Sequence, residues 1–438
     1  MKMKKYKLRE LLTIKNGKDH KQLKEGVYPV LGSGGVMRYV DTFLYDKPSV
    51  LLPRKGSLNN IQYSDKPFWT VDTLYYTEVN EKKVNAYYLY NYLKLLDLSN
   101  LDSGTGVPSM TFDSYYNLSV NLPSLEIQNK VASALFHIDE KISINRQINR
   151  NLEELAKQIY DYWFLQFDFP NEDGKPYKSS GGKMVWNDVL KRDIPAGWNC
   201  FEMQNICNIS RGASPRPIEA YMDTTNTGIP WIKISDATED IESPYLLKIK
   251  DCIIPEGKEK SVSVKPDTLI VSNSATPGIP KFVELNACVH DGWLILDKYD
   301  SYYKYYLFYV IKMVRYNLLY LASGSIFKNL KTDYLKTLPT LVPDIKILQR
   351  FDEKIERIMK HILKTEREIN ELIELRDNIL PLLMNGQVTL NSCLSAHGIL
   401  FFVKFTIWEV KEYVTWMLKC RYYKVFNHNF VNLWTMNR

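Results

Sequence analysis

Residues 351–375 read FDEKIERIMKHILKTEREINELIEL. Six apolar residues and one threonine recur there in steps of four and three: Phe351, Ile355, Ile358, Ile362, Thr365, Ile369 and Leu372. Such steps place side chains on one stripe of an α-helix, the stripe that packs against a second helix. We predict a helical rod over 344–384; about 40 residues at about 1.5 Å each make about 60 Å. This length exceeds what one globular core needs.

A second rod is predicted over 124–165. Its apolar stripe has one slip near Asn145 and comprises Leu135, Ile138, Ile142, Ile148, Leu152, Leu155, Ile159 and Tyr162. Each rod follows a proline and a residue that can cap the free N–H groups of a helix start, Pro123-Ser124 and Pro343-Asp344. We expect the two rods to form an antiparallel coiled coil that holds two globular bodies apart.

The two bodies themselves look like copies of each other. Four features recur at offsets of 218 to 220 residues: Asp72 and Asp291, Tyr87 and Tyr305, Ser103 and Ser323, Pro123 and Pro343. Matches in register indicate a tandem duplication of a mixed α/β domain plus a rod. The alternative is two unrelated α/β domains with accidental aromatic matches.

This organisation predicts domain boundaries along the whole chain. They are 1–123 for a first globular domain, 124–168 for a central helical spacer, 169–193 for a linker, 194–343 for a second globular domain, 344–388 for a C-terminal helical spacer and 389–438 for an atypical tail. The stretch from Phe167 through Gly182 is rich in turn residues. Its composition predicts a link that is mobile or draped over a surface.

Composition is that of an ordinary globular protein, with 45% hydrophobic residues in 438. The net charge is +7, but six basic and two acidic residues after position 390 supply +4, which leaves +3 for residues 1–390. Nucleic acid would therefore be bound through local basic patches. The six cysteines include no C-x-x-C pair, and no apolar core of a signal peptide follows the basic stretch at residues 2–5, so we do not expect export. We expect a cytoplasmic protein with reduced thiols.

Three stretches carry a family resemblance. All three resemble segments of the specificity subunits of Type I restriction–modification systems. The first is Trp163 to Val185, which contains FDFPNEDGKPYKSSGGKMV. The others are the domain start Ile194-Pro195-Ala196-Gly197-Trp198 and the stretch from Leu375 to Val388. Tyr28 to Gly35 and Trp69 to Leu74 are similar to the first domain of such subunits. The resemblance covers roughly residues 6–388.

The resemblance implies a division of labour. Each globular domain would be a target recognition domain that reads one half of a bipartite DNA site. The rods would set the spacing and dock two modification subunits, which carry the methyltransferase, and a restriction subunit would join them. S-adenosylmethionine, ATP and magnesium would belong to those partners, with no cofactor and no metal in this chain.

Motifs for chemistry within this chain are missing from the sequence. There is no Asn/Asp-Pro-Pro-Tyr/Phe run of an amino-methyltransferase and no G-x-x-x-x-G-K-[ST] nucleotide loop. We interpret Gly32-Ser33-Gly34-Gly35 as a turn and His290 as a structural histidine. The sequence thus favours a non-catalytic subunit. The alternatives are a self-contained DNA-modifying or cleaving enzyme with an unrecognised site, and a coiled-coil adaptor that binds no DNA.

DNA contacts should come from loops at corresponding places in the two domains. Arginine suits guanine or phosphate, lysine supplies a point charge, and asparagine can pair with adenine. The candidates in the first domain are Lys15, Asn16, Lys18, Arg54, Lys55, Ser57, Asn59 and Asn60. Those in the second are Arg211, Ser214, Arg216, Asn273, Ser274 and Thr276. Each loop could instead be a solvated turn.

The tail after Leu390 departs from the family pattern. It is either read-through or a rearranged gene end, which we favour, or a small added docking helix. Charged residues such as Lys404 and Glu409 interrupt its apolar run too early for a membrane span.

We expect truncation after Leu390 to leave solubility, assembly and DNA binding unchanged, because the family pattern ends there. Co-purification with the modification subunit and a duplex-binding titration would check this. Loss of assembly would support the docking helix instead.

Overall fold

The computed structural model describes residues 2–98, 108–225, 227–321 and 330–386. The chain forms two compact units, unit 1 from residues 1–142 and 372–438 and unit 2 from residues 143–371. The repeat match at Ser103 and Ser323 and the tail after 386 lie outside the described residues. Within the described residues, no helix has the length and apolarity needed to cross a membrane.

Unit 1 is a mixed α/β body. Its strands are β1 (Lys4–Lys7), β2 (Leu12–Lys15), β3 (Tyr28–Gly32), β4 (Gly35–Val40), β5 (Ser49–Pro53), β6 (Gln62–Ser64), β7 (Trp69–Thr70), β8 (Leu74–Val79) and β9 (Ser119–Leu122). Its helices are α1 (Ala86–Lys94), α2 (Phe112–Tyr116) and the first half of α3 (Leu125–Tyr160). The sheets have the orders β2-β8-β5-β6, β4-β3-β7 and β1-β9.

Unit 2 repeats this plan with additional strands. They are β10 (Met184–Asn187), β11 (Arg192–Pro195), β12 (Asn199–Glu202), β13 (Asn208–Arg211), β14 (Met222–Asp223), β15 (Ile229–Ile232), β16 (Tyr245–Leu246), β17 (Cys252–Ile253), β18 (Val262–Val264), β19 (Thr268–Ser272), β20 (Pro280–Val283), β21 (Ala287–Val289), β22 (Trp293–Asp297) and β23 (Pro339–Val342). The helices are α4 (Ile234–Glu239), α5 (Lys304–Leu321), α6 (Thr332–Lys336) and most of α7 (Ile345–Met384). The two large sheets run β13-β22-β19-β20-β16 and β14-β17-β15-β21-β18.

Strand registers confirm the internal repeat. Leu52 of β5 pairs with Tyr75 of β8 in unit 1, and Val271 of β19 pairs with Leu294 of β22 in unit 2. The residue-number offset between the two repeats is the same for both partners (271 − 52 and 294 − 75 are both 219). The predicted fold class is therefore confirmed: two pseudo-repeated α/β domains accompany two long helices. The domain boundaries drawn from the sequence stay predictions.

The seam predicted on α7 is confirmed at six of its seven positions. Phe351, Ile355, Ile358, Ile362, Thr365 and Ile369 are buried, whereas Leu372 is only half-buried. Asp344 begins the helix as predicted, because its carboxylate accepts a hydrogen bond from Lys346 N at 2.8 Å.

The seam predicted on α3 is confirmed at Leu135, Ile138, Ile142 and Leu152, which are buried. It is wrong at Ile148, Leu155, Ile159 and Tyr162, which are only half-buried, whereas Asn145 and Asn149 are buried. Within unit 2, these two asparagines donate to Glu368 and Glu366 of α7 at 3.0 and 2.8 Å. The buried stripe of α3 therefore continues through Asn145 and Asn149, which take the place of apolar residues and bond to α7. The slip in the stripe that the sequence indicated near Asn145 is not present. The residue numbers rise on α3 as they fall on α7, which is the predicted antiparallel pairing.

The turn-rich link after α3 is anchored in unit 2 by its buried start, residues 167–170, which the sequence did not predict. Residues 172–175 and 178–181 are exposed, in agreement with the prediction of a segment draped over a surface. Phe167 and Phe169 are buried, and the Phe169 ring stacks on Tyr177 and Trp198 at 4.6 and 5.0 Å. Asp168 accepts a hydrogen bond from Ser179 N at 2.7 Å. Composition alone did not reveal this anchoring, because the aromatic residues of the link pack against residues outside the link as well as within it.

Each unit closes its core with the last turns of a long helix. Leu380, Leu383 and Met384 at the end of α7 pack into the unit 1 core. At the corresponding end of α3, Tyr160, Trp163 and Phe164 surround Phe351 in unit 2, with ring centroids 4.8 to 6.2 Å from its ring.

We expect Phe351→Ala to lower the free energy of unfolding of unit 2 by about 3–5 kcal/mol, because it leaves a cavity among these rings. Ile345→Ala in the same helix should change it by no more than about 0.5 kcal/mol, since Ile345 is 53% exposed. Urea denaturation followed by tryptophan fluorescence would compare the two. Equal effects would contradict the assignment of Phe351 to the core.

Candidate nucleic-acid interface

Strand direction brings the predicted DNA-binding loops of unit 1 to one edge. β2 and β5 both run antiparallel to β8, so their carboxyl ends lie beside its amino end. Residues 15–18 follow β2, residues 54–60 follow β5, and residues 71–73 precede β8. We call these three loops the unit 1 edge.

The unit 1 edge contains a cleft of about 300 Å³ that is lined by Asn16, Arg54, Lys55, Tyr75, Ser109, Met110, Thr111 and Phe112. The Arg54 guanidinium lies 6.0 Å from the centre of the Tyr75 ring and donates to the Asp72 carbonyl at 3.4 Å. Burial raises the pKa of Tyr75, so its phenol stays neutral at pH 7 and donates to the Met110 carbonyl. Arg54 is therefore a preoriented cation, and Lys55 beside it is exposed.

Other predicted residues of this edge are already engaged within the protein. Asn60 Nδ2 donates to the Ser33 carbonyl at 2.5 Å, and its backbone N–H donates to the Ser57 carbonyl. Asn59 Oδ1 accepts from Leu98 N at 2.9 Å. These amide groups brace the loop. Lys15 forms a 3.6 Å ion pair with Glu78, and both side chains are nearly half exposed.

The Lys18 loop is held against β7. Lys18 N donates to the Thr70 carbonyl at 2.8 Å, and the Lys18 carbonyl accepts from Trp69 Nε1 at 2.9 Å. These two bonds fix the backbone and leave the Lys18 side chain exposed.

The corresponding loops of unit 2 meet around one carboxylate. We call residues 210–216, 272–278 and 290–292 the unit 2 edge. Ser214 Oγ donates to Asp291 Oδ1 at 2.7 Å, and Arg211 Nε donates to the Asp291 carbonyl at 2.7 Å. Arg216 lies 3.5 Å from Asp291 Oδ2, with 80% of its side chain exposed. Asp291 thus positions two arginines that still face solvent.

Hydrogen bonds define the protonation state of His290. Gly292 N donates to His290 Nδ1 at 2.8 Å, so that nitrogen is an acceptor. His290 Nε2 lies 3.1 Å from Asp291 Oδ1 and donates to it. Burial lowers the pKa of His290, which keeps it neutral at pH 7. Burial opposes ionisation of Asp291, but the Ser214 hydrogen bond and the neighbouring arginines outweigh it and lower the pKa of this carboxyl.

Asn273 takes the place that Arg54 has in unit 1. Its Nδ2 donates to the Asp291 carbonyl at 3.4 Å, as Arg54 donates to the carbonyl of Asp72. Asn273 is only 6% exposed. Ser274 and Thr276 form the turn that follows, in which Thr276 N donates to the Ser274 carbonyl at 2.6 Å.

Sequence reasoning missed Trp231, Lys233, His290 and Asp291 as parts of this surface. Trp231 and His290 line a cleft of about 450 Å³ beside Ser214 and Arg216. Lys233 reaches Asp251 at 2.5 Å and lies 5.8 Å from the Trp231 ring centre. The match between Asp291 and Asp72 in the repeat could have indicated Asp291, because Asp72 lies in the loop before β8 at the unit 1 edge. Within the described residues, no three His, Cys, Asp or Glu side chains are placed to hold a metal ion.

The family follows from the sequence of the two units together with this geometry. The model of the Type I restriction modification DNA specificity domain matches residues 1–154 and 195–375. The chain belongs to this family of DNA specificity proteins, and the resemblance found in the sequence is confirmed.

Individual relatives match most of the chain. The specificity subunit of the Type I restriction enzyme MjaIX of Methanocaldococcus jannaschii is 22% identical over 356 residues, 79% of this chain and 78% of the relative. That of HindI of Haemophilus influenzae is 24% identical over 353 residues, 68% of this chain and 74% of the relative. The crystal structure of the S subunit from M. genitalium superposes with a TM-score of 0.57 at 15% identity, covering 87% of this chain and 96% of that one. This last likeness concerns the fold.

We expect Asp291→Asn to strengthen binding to unrelated duplexes and to reduce discrimination between target and unrelated DNA. The change removes the negative charge that faces Arg216 at 3.5 Å and Arg211 at 3.9 Å, while the bond from Arg211 to the Asp291 carbonyl stays. Titrations at several salt concentrations would measure both effects.

Asp193→Asn makes the same charge change at an exposed position on β11 and is the control. Identical behaviour of the two variants would show that net charge alone, and not positioning by Asp291, is responsible.

Proposed function

We propose that the unit 1 edge and the unit 2 edge each read one half of a bipartite duplex DNA target. The observation that carries the proposal is the duplication itself. The same strand edge occurs in both units. It presents one arginine beside Asp72 in unit 1 and two arginines beside Asp291 in unit 2. Two copies of one reading surface on one chain suit a target made of two separated half-sites.

The chemistry of the edges supports duplex DNA as the ligand. Arg54 and Lys55 in unit 1 and Arg211 and Arg216 in unit 2 are cations at loop ends. Cations at such positions neutralise phosphates, and an oriented guanidinium can also pair with the O6 and N7 atoms of guanine. The predicted residues whose amides are engaged within the protein would position the loops and make no base contact of their own.

The long helices would set the distance between half-sites and dock two modification subunits. Half-sites read from one face of a duplex lie about 34 Å apart per helical turn, and helices of this length can span that distance. Methyl transfer, with S-adenosylmethionine, would be performed by the modification subunits. ATP and magnesium would serve a restriction subunit. The present chain would contribute specificity and no catalytic group.

Charge-removing variants of each edge test the proposal. We expect Arg54→Ala/Lys55→Ala to relax sequence preference in one half of the target only, and Arg211→Ala/Arg216→Ala in the other half only. A lost base contact costs about 1–3 kcal/mol at one position, and each lost phosphate contact lowers the salt slope by about 1. Mapping of methylated bases after co-expression with the modification subunit would assign each half.

Lys82→Ala and Lys298→Ala are matched controls, because these exposed lysines follow the opposite ends of β8 and β22. They should leave both halves unchanged. A methylated motif that is not split, or that both edge variants change in the same half, would overturn the proposal.

A further inference from the structure

A β-hairpin extends from the unit 1 edge. Its counterpart in unit 2 is the antiparallel pair of β15 with β17, but residues 233–251 join those two strands where unit 1 has a tight turn. Gly32 of β3 pairs with Gly35 of β4, which leaves Ser33-Gly34 as a two-residue turn. Gly35 has a φ of 115°, a conformation that a side chain would strain. In unit 2, β15 is followed by Lys233 and the short helix α4.

The tip of this hairpin is fastened to the loops of the unit 1 edge. Asn60 Nδ2 donates to the Ser33 carbonyl at 2.5 Å, and Gln62 Nε2 donates to the Gly32 carbonyl at 2.8 Å. Ser33 N lies 3.4 Å from Thr73 Oγ1. A molecule bound to Arg54 and Lys55 would therefore lie next to the hairpin.

The outer strand of the hairpin exposes apolar side chains. Val36, Met37 and Tyr39 of β4 are 56%, 57% and 53% exposed. The pairing of β3 with β4 shifts register between Val30 and Leu31, and the two consecutive residues Val36 and Met37 both face solvent. Adjacent exposed apolar residues at the rim of a polar surface are typical of an interaction site.

The surroundings of the hairpin are basic. Residues 15–40 contain five cations against two carboxylates, namely Lys15, Lys18, Lys21, Lys24 and Arg38 against Asp19 and Glu25. The segment before β3 lies along β4, since Arg38 donates to the Leu23 carbonyl at 2.9 Å and Asp41 N donates to the Lys24 carbonyl at 3.1 Å. The occupant must therefore be polyanionic and also offer apolar groups.

We propose that the β3–β4 hairpin enters the major groove of duplex DNA and that Val36 and Met37 contact thymine methyl groups of the half-site read by unit 1. The major groove admits β-strands, and β4 is the outer strand of the sheet β4-β3-β7, so its exposed side chains can face the bases. The thymine methyl is the apolar group that the groove displays. This inference rests on the proposed function. It adds that unit 1 recognises A·T pairs through apolar contacts, whereas unit 2 offers at the same place Lys233 and a short helix.

The test removes the thymine methyl group from the DNA and, separately, the apolar side chains of Val36 and Met37 from the protein. The full chain, assembled with its modification subunits, binds target duplexes with thymine or deoxyuridine in the half-site of unit 1. We expect each deoxyuridine to weaken binding of the wild type by about fourfold, the effect of one buried methyl group. Val36→Ser/Met37→Gln should bind the thymine duplex more weakly and lose the preference for thymine over deoxyuridine.

Val27→Ser is the control, since Val27 is 77% exposed and precedes β3 at the end away from the turn. It should keep the full preference. The proposal is overturned if the double variant keeps that preference, if the half-site of unit 1 contains no A·T pair, or if the variant loses only subunit assembly, which would make the hairpin a protein-docking surface. Failure of the wild type to distinguish its target from unrelated DNA would instead overturn the proposed function, and this inference with it.

Discussion

The antiparallel pairing of β8 with β2 and β5, and of β22 with β13 and β19, is the constraint on which both candidate surfaces depend. A central strand that runs opposite to both neighbours brings two loop beginnings and one loop end to the same edge. Residues far apart in sequence, such as Arg211 and Asp291, then lie within hydrogen-bond distance. The backbone ladder fixes this edge, so the loops can vary in sequence without loss of the surface.

The two edges use this shared frame differently. In unit 1 the aspartate at the start of β8 contributes only its carbonyl to Arg54. In unit 2 the carboxylate of Asp291 also takes part, and it accepts from Ser214 and lies near two arginines. A carboxylate that positions arginines reduces local net charge but holds the guanidinium groups in fixed directions. A lower local charge combined with fixed guanidinium directions favours discrimination between sequences over general attraction to phosphate.

The sequence predicted the features that local periodicity controls. The α7 seam and the start of α7 at Asp344 both follow from spacing and capping. It could not predict that Asn145 and Asn149 are buried, because their partners Glu368 and Glu366 are more than 200 positions away. It placed Asn59 and Asn60 on the right loop, but it could not reveal that their amides brace the backbone. The exposed Val36 and Met37 depend on a register shift in the β3–β4 pair that no residue pattern announced.

Polar groups inside the helix pairs give each unit its own matching contacts. In unit 1, Asp139 accepts from Arg376 at 2.8 Å and from Tyr87. In unit 2, Asn145 and Asn149 meet Glu368 and Glu366. A polar group in an otherwise apolar seam costs stability when it is mispaired, so it selects one register over its alternatives. The duplicated halves share a backbone plan, but their helices are not interchangeable, because exchange would leave the half-buried Asp139 and the buried Asn149 without these partners.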